Sequence, residues 1–253
     1  MNLSVRRCVL LPIVALAWAA CPAYVRLTPQ DQEAIGRETA GKEFFLKYSF
    51  YFGPFFVYED RYLLSERAFD ERVLVQTAGG APMLPGEPLG VLPMGTRVKI
   101  REVQFPTSGA VAGRRLESPR SFTWVLLESD AVPGGKPLVL VLMPEFEKKS
   151  DFGEALGAFL VAADPRPEFA GRPEAERAAI DQKKVWRGMR ADALIRSRGY
   201  PDRVTRSFEN GVKVEKWQYA PARSVTLRDD RVDSFENLPA IPEAPAAEPS
   251  VAP

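Results

Sequence analysis

The order of apolar and polar positions divides the chain into an N-terminal helix, a β-rich middle and a second helical and β-rich part. Thr28 followed by Pro29 is a helix start, because threonine caps free backbone amides and proline fits the first turn. This helix is predicted to end near Lys47. Between residues 69 and 146, short apolar or alternating runs are separated by glycine and proline clusters, as is typical of strands and turns. Strands are predicted there at 72–77, 96–105, 122–129 and 137–143.

Aromatic side chains are concentrated just before this β-rich region. Of the 15 Phe, 7 Tyr and 4 Trp in the chain, ten lie between Phe44 and Tyr62. One interpretation is a membrane-interface patch, since aromatic rings partition there. The other is a set of buried strands divided by a turn at Gly53–Pro54, and we expect this one because dense aromatic runs are more often core.

Residues 173–237 have the pattern of two short helices followed by a sheet. The second helix is predicted from Ala191 to Arg198, with Gly199 as a left-handed cap. Asn210–Gly211 joins two alternating runs, which is a strong hairpin signal. Two further alternating runs follow, so the sheet should have three or four antiparallel strands.

Together these elements predict an α+β protein: an N-terminal helix and a small SH3-like β-barrel, followed by the two-helix and antiparallel-sheet module. The predicted divisions are 1–20, 21–68, 69–146, 147–172, 173–237 and 238–253. The fourth is a helical linker, in which one face carries Phe152, Leu156, Phe159 and Leu160. The last is a proline- and alanine-rich tail that is predicted to be disordered, because it cannot bury enough apolar surface.

The first 20 residues have the pattern of an export signal, with two arginines before an apolar stretch too short for a permanent membrane span. Residues 15–21, ALAWAAC, resemble a bacterial lipobox, in which Cys21 would be acylated, with Trp18 standing where leucine is usual. Ordinary cleavage after Ala19 is the alternative. Acyl chains on Cys21, palmitate among them, would hold the protein on a bilayer. We therefore expect an envelope protein facing the periplasm, on the outer membrane rather than the inner one.

Composition excludes several kinds of site. The chain has no histidine, and its cysteines are Cys8 and Cys21, so Ser-His-Asp, Cys-His and histidine-containing metal sites are excluded. Lys and Arg total 34 against 33 Asp and Glu, and this balance gives no electrostatic signature of nucleic-acid binding. The basic pairs Arg114–Arg115 and Lys183–Lys184 are expected on solvated faces.

Without histidine or a usable cysteine, catalysis would need paired carboxylates or a Ser-Lys pair, and Asp229–Asp230 and Glu59–Asp60 are acid pairs of the required type. Both are expected in turns, where acids are ordinary. We therefore predict no catalytic residue, no metal, no cofactor and no small-molecule substrate, and an enzyme is the least favoured class.

Spaced glycine, proline and aromatic residues in the C-terminal module carry a family resemblance. Gly188–Met189, Gly199-Tyr200-Pro201 and Trp217-Gln218-Tyr219 follow one another around the second helix and the hairpin. This order resembles the SmpA/OmlA family of lipoproteins, which have a BamE-like fold. The resemblance implies a non-enzymatic scaffold or adaptor for outer-membrane protein assembly or envelope integrity, with envelope proteins or cell wall as partners.

Within this resemblance, a structural role is implied for Gly188, Met189, Gly199 and Pro201. Arg190 and Arg198 depart from the family pattern, which has a Ser or Thr cap at the first position and an apolar residue at the second. These two arginines, with Trp217 and Tyr219, are the candidate contacts to a partner or to lipid head groups. Buried packing of the two rings and a solvated face for the arginines are the alternatives.

A second resemblance lies in residues 69–146. Leu92-Pro93-Met94-Gly95-Thr96 followed by an alternating strand is similar to bacterial SH3-like domains, which bind peptides or cell-wall material or act as spacers. It carries over no binding residue. A secreted or periplasmic protein-binding or inhibitor module is the other open function, and exposed aromatic rings around Trp217 would favour it.

Overall fold

The computed structural model describes residues 27–143, 146–220 and 222–242, and it has an α+β architecture. Its α-helices are α1 Pro29–Thr39, α2 Ser108–Gly113, α3 Lys149–Gly157, α4 Glu174–Asp181 and α5 Ala191–Arg198. The strands of the first part are β1 Glu43–Leu46, β2 Phe50–Phe55, β3 Tyr58–Ser65, β4 Val75–Gln76, β5 Pro82–Met83, β6 Gly90–Leu92, β7 Arg97–Gln104, β8 Thr123–Glu128, β9 Leu138–Leu142 and β10 Leu160–Val161. Those of the second part are β11 Arg203–Glu209, β12 Val212–Ala220, β13 Arg223–Arg228 and β14 Arg231–Glu236.

Eight strands form the larger sheet, in the order β10-β1-β7-β8-β9-β3-β2-β6. All neighbours are antiparallel except β3 and β9, which run parallel. The central strands are buried on both faces: Val125 and Leu127 of β8 face one apolar cluster, while Trp124 and Leu126 face another. Near-continuous apolar runs such as β8 and β9 are what a strand covered on both sides requires.

The aromatic-rich segment supplies β1, β2 and β3, and its rings are largely core, as expected. Phe50 and Phe55 are completely buried. The turn predicted at Gly53–Pro54 is wrong, because both residues lie within β2 and the chain reverses at Phe56–Val57 instead. The backbone at Gly53 runs so close to Pro88 that a β-carbon on Gly53 would lie 2.9 Å from the Pro88 Cα.

The first helix is shorter than predicted. Its N-cap is Thr28, as predicted, with a hydroxyl that accepts a hydrogen bond from the amide of Asp31, but the helix ends at Thr39 and not near Lys47. Gly41 follows with a φ of +78°, a conformation that favours glycine and turns the chain into β1.

The larger sheet extends on both sides of the predicted 69–146 segment. Three predicted strands are confirmed as β7, β8 and β9, whereas the run at 72–77 forms only the short β4, which pairs with β5. The sheet continues into β1–β3 before this segment and into β10 after it. Aromatic and β-branched residues outside the predicted boundaries complete the sheet, so the described β structure is larger than a small barrel.

The predicted linker helix is confirmed as α3, which buries Phe152 and Leu156. The predicted helical face does not extend to Leu160, which lies in β10 and pairs with Leu46 of β1. The C-terminal tail beyond residue 242 lies outside the described residues.

The C-terminal module matches its prediction closely. Helix α5 has the predicted bounds, and β11–β14 form a four-stranded antiparallel meander. Asn210 and Gly211 both have positive φ, as the predicted two-residue hairpin requires. Gly199 has φ +83° but ψ −173°, so it ends α5 in a glycine conformation other than the predicted left-handed one.

Candidate functional site

The four predicted contact residues differ in exposure. Arg198 is 4% exposed, Trp217 is 7% exposed and Tyr219 is 4% exposed, so none of these three presents a surface to a partner or a lipid head group. The prediction that Arg198, Trp217 and Tyr219 contact a partner or a lipid head group is therefore wrong. The rings of Trp217 and Tyr219 are packed in the interior, which was the alternative. Arg190 alone is exposed, and its Nε lies 3.7 Å from Oδ1 of Asp192.

Trp217 and Tyr219 pack the C-terminal sheet against the helices. Both belong to the apolar cluster between the sheet and α4 and α5. The indole Nε1 of Trp217 donates to Oε2 of Glu215 over 3.0 Å, and the Tyr219 hydroxyl donates to the carbonyl of Gly199 over 3.3 Å. Burial raises the pKa of Tyr219, so this hydroxyl keeps its proton.

Gly188 and Met189 lie in the loop before α5, and their backbone groups form hydrogen bonds with β14. The Gly188 amide donates to the Val232 carbonyl over 2.7 Å, and the Val232 amide donates to the Met189 carbonyl over 2.8 Å. The Met189 side chain is completely buried. Arg190 is the N-cap residue of α5 but makes no side-chain cap, and Oε2 of Glu176 accepts from its backbone amide over 3.1 Å.

Arg198 lies at the centre of a cluster of ionisable groups between the larger sheet and the C-terminal module. Its Nη1 donates to the hydroxyl of Tyr51 over 2.9 Å and to the carbonyl of Lys183 over 3.2 Å. Its Nη2 lies 3.8 Å from Oε1 of Glu71. We call this cluster the buried joint, and its members are Tyr51, Glu71, Lys183, Arg198 and Arg223.

Lys183 is completely buried, which corrects the expectation of a solvated basic pair. Its Nζ donates to the carbonyls of Ser49 and Ser197 over 2.8 and 2.7 Å, and it lies 5.1 Å from the centre of the Tyr51 ring. Burial lowers the pKa of this amine well below its ordinary value, and the nearby positive charge of Arg198 lowers it further. The amine is thus held as a donor linking the two parts of the chain.

Arg223, the first residue of β13, is the member of the buried joint that the C-terminal sheet contributes. It forms ion pairs with both Asp70 and Glu71, so Glu71 lies between the guanidinium groups of Arg198 and Arg223. The hydrogen bond from Arg223 lowers the pKa of Asp70. Each charge in the joint therefore faces an opposite charge or a hydrogen-bond partner, as buried charges require.

Two open clefts flank Arg198. One, of about 300 Å³, lies beside Tyr51, Asp70 and Arg223. The other, of about 260 Å³, lies beside Tyr48, Glu66 and Tyr200. Within the described ranges, Nε of Arg198 and Oε2 of Glu66 are buried without a hydrogen-bond partner, and neither atom is in contact with solvent in these clefts.

One acid of each predicted pair is bound to a neighbouring basic side chain. Asp230 accepts from Nζ of Lys213 over 2.9 Å in the turn between β13 and β14. Asp60 receives two hydrogen bonds from Arg61, which lower its pKa. Glu59 and Asp60 lie within β3, so the prediction that this pair lies in a turn is wrong.

The second basic pair also contains a buried member. Arg114 is 8% exposed and donates through its Nη atoms to the carbonyls of Gln104, Arg120 and Phe122. Its guanidinium lies 3.8 Å from the centre of the Trp124 ring, and burial lowers its pKa to about 10. This arginine closes the loop around α2 onto the larger sheet.

Sequence reasoning missed Lys183, since its residue type does not distinguish it from Lys184. Helical spacing gave no signal for it, because α4 ends at Asp181 and Lys183 lies beyond that end with a φ of +53°. Glu71, Arg223 and Tyr51 had no local signal either, because the joint brings together residues far apart in the sequence.

Residues 27–143, 146–220 and 222–242 contain no group of three or more potential metal ligands. Over the same ranges, no helix combines the length and the apolar character that crossing a membrane would take. The predicted lipidation site, Cys21, lies outside the described residues.

Comparison with known proteins adds no relative. A scan against protein-family models, a search of curated proteins and a search of solved structures each gave no match.

Proposed function

We propose that this protein is a non-enzymatic lipoprotein of the bacterial cell envelope that acts as a scaffold or adaptor. Acylated Cys21 would tether it, with the described domains in the periplasm and the outer membrane favoured over the inner one. Its partners would be envelope proteins or cell wall, in outer-membrane protein assembly or in envelope integrity.

The buried joint is the observation that supports this proposal most strongly. Its ionisable groups are the kind that catalysis uses, yet Lys183, Arg198 and Glu71 are directed at one another and at backbone carbonyls. They hold the C-terminal module against the larger sheet in one orientation. A body with two fixed surfaces suits a protein that positions partners relative to one another.

The likeness to the BamE-like fold supports the proposal further. Two short helices followed by an antiparallel meander occur in the order that the resemblance implies, and the signature residues Gly188, Met189 and Trp217 all lie in the contact between helices and sheet. An SH3-like role for the larger sheet belongs to the same proposal, as a spacer or a second binding surface.

The alternative is a secreted or periplasmic protein-binding or inhibitor module. Burial of Trp217 counts against it, because that proposal depends on aromatic rings exposed on the open face of the sheet. An enzyme is the least favoured class, since one acid of each pair is engaged by a basic side chain, Asp230 by Lys213 and Asp60 by Arg61.

Mass spectrometry of the mature N-terminus tests the lipoprotein part of the proposal. We expect the wild-type chain, expressed in a bacterium, to begin at Cys21 and to carry acyl chains. The Cys21→Ala variant should lack them and leave the membrane fraction. A mature chain that begins at Ala20 with an unmodified thiol would contradict the proposal.

Affinity isolation from crosslinked envelopes tests the adaptor part. The wild-type chain should recover an outer-membrane or cell-wall component that the Cys21→Ala control recovers much less. If the wild-type chain recovers no such component, the adaptor role is wrong even where acylation is found.

A further inference from the structure

Strand β11 is an edge of the C-terminal sheet. It pairs with β12, and no other strand among the described residues pairs with it. Six of its seven residues are exposed, and Val204 is the exception. An edge strand presents a row of unpaired backbone N–H and C=O groups, and such a row is a template for another strand.

The hairpin determines which backbone groups point outward. Glu209 and Val212 close the two-residue turn, so they form a hydrogen-bonded pair. Hydrogen bonding alternates along an antiparallel ladder. The backbone groups of Val204, Arg206 and Phe208 therefore point away from β12, towards the open edge.

The sequence of β11 is complementary to itself when two copies run antiparallel about Arg206. This register places Val204 opposite Phe208 of a second copy, Thr205 opposite Ser207, and Arg203 opposite Glu209. All three outward-pointing residues then find outward-pointing residues to bond. Registers centred one residue earlier or later join only two of the three, and they leave Arg203 without its acidic partner.

Two of the residues at this edge, Phe208 and Arg203, lack a side-chain partner among the described residues of the single chain. Glu209 already pairs with Arg228 over 2.9 Å and would be shared with Arg203 of the second copy. Phe208 is 77% exposed, and Val204 of the second copy would cover it on the same face. Arg203 forms no ion pair with any residue in the described part of the chain. Arg206 would meet its own copy at the axis, and its Nε is bound over 2.7 Å to Oε1 of Glu215, a carboxylate that it shares with Lys213 and that lowers the repulsion between the two copies.

We infer that β11 pairs with β11 of a second copy of this chain, joining two four-stranded sheets into one eight-stranded sheet across a two-fold axis. A two-fold axis requires one surface to fit itself, and this surface has matched charges at both ends and an apolar pair between them. The occupant of the edge is therefore a second copy rather than a different protein.

Charge reversal tests the register. Arg203→Glu places two acids opposite each other at both ends of the interface, and Glu209→Arg places two bases there. Either variant alone should weaken self-association about tenfold, because two opposite-charge pairs become like-charge pairs. Mixing the two variants restores an opposite-charge pair at both ends, so the mixture should associate as the wild-type chain does.

Sedimentation velocity of the purified full chain over a range of concentrations measures this association, and circular dichroism confirms that each variant is folded. A wild-type chain that stays monomeric at all concentrations overturns the proposal and leaves the edge to a different partner. A mixture no more associated than its separate variants overturns it as well.

Cysteine pairing tests the axis independently. In the proposed register Arg206 faces its own copy, at the Cα separation of about 5.5 Å that hydrogen-bonded pairs have and that a disulfide can span. The Arg206→Cys variant should crosslink on mild oxidation, beyond the level that the native Cys8 and Cys21 give. Thr205→Cys and Ser207→Cys are the matched controls, because each faces the other and not itself, and equal crosslinking at all three positions contradicts the register.

Discussion

The guanidinium Nη1 of Arg198 lies 2.9 Å from the hydroxyl of Tyr51, a residue 147 positions earlier in the chain. This hydrogen bond joins α5 to β2, and so links the C-terminal module to the larger sheet. Arg198 stands where the family pattern proposed for this module has an apolar residue. Its position in the buried joint gives a physical reason for the departure, because an apolar residue there could not bind Tyr51, Glu71 or the Lys183 carbonyl.

Replacing Arg198 by alanine should lower the free energy of unfolding by about 2–4 kcal/mol, because the Tyr51 hydroxyl and the Lys183 carbonyl lose their buried donor. Glu71 would lose one guanidinium and keep its ion pair with Arg223. Arg190→Ala is the matched control, since Arg190 is an exposed arginine at the other end of the same helix. Its effect should stay within about 0.5 kcal/mol. Urea denaturation of both variants measures this, and similar losses for the two would contradict the buried joint.

Replacing Lys183 by methionine should change how stability depends on pH. In the folded chain the pKa of the buried amine is well below 10.5, the ordinary value that it has in the unfolded chain. At a pH between the folded-state pKa and 10.5, the unfolded chain therefore binds more protons than the folded chain. The contribution of Lys183 to the free energy of unfolding therefore rises with pH across that interval. It is smallest at pH values below the folded-state pKa, where the amine is protonated in both states.

The stability of the wild-type chain relative to Lys183→Met should accordingly increase as the pH is raised towards about 10, in urea denaturation at several pH values. Lys184→Met is the control, because the neighbouring amine donates to Gln182 in an exposed setting. A difference between wild type and Lys183→Met that does not vary with pH would mean that the amine is not buried in solution.

Gly53→Ala should destabilise the larger sheet by about 1–3 kcal/mol, the usual cost of overpacking a core. The added β-carbon would lie 2.9 Å from the Phe69 ring and from the Pro88 backbone. Gly109→Ala is the control: Gly109 lies in α2 with open space around it, and alanine there should stabilise by up to about 1 kcal/mol. Thermal denaturation of the pair checks both signs, and a stable Gly53→Ala variant would place this glycine in a turn after all.

Trp217→Ala should lower the free energy of unfolding by about 3–5 kcal/mol, because it empties the space between the sheet and its helices. Phe208→Ala removes another aromatic ring from the same sheet, but that ring is 77% exposed. At concentrations where the chain is monomeric, its effect should be within about 0.5 kcal/mol. Equal losses would show that the indole is no more buried than Phe208.

Local signals were enough to predict the C-terminal module. Asn210–Gly211 fixed the hairpin, and the helix bounds of α5 followed from the glycine after Arg198, because these features depend on residues close together in the chain. The alternation of β7 and the apolar runs of β8 and β9 were sufficient for the same reason. The end of α1 was missed because the β-forming pair Phe44–Phe45 could be read as a continuing apolar helix face.

The order of the larger sheet and the buried joint could not be predicted in this way. Both depend on contacts between distant segments, such as Arg223 with Asp70 and Lys183 with Ser49. The residues next to a charged residue in the sequence do not show whether its side chain will face water or a partner far along the chain. Arg198 could therefore be recognised as unusual, but its buried position could not be derived.

The parallel pairing of β3 with β9 also bears on the order of folding. Strand β9 lies between β8 and β3, and it is the only described strand that connects the β2–β3 hairpin to the half of the sheet containing β1, β7 and β8. The two halves cannot form one sheet until β9 lies between them. Closing such long loops is slow. We therefore expect the sheet to be completed late in folding, because a chain that ends before Leu138 lacks the strand that joins the two halves.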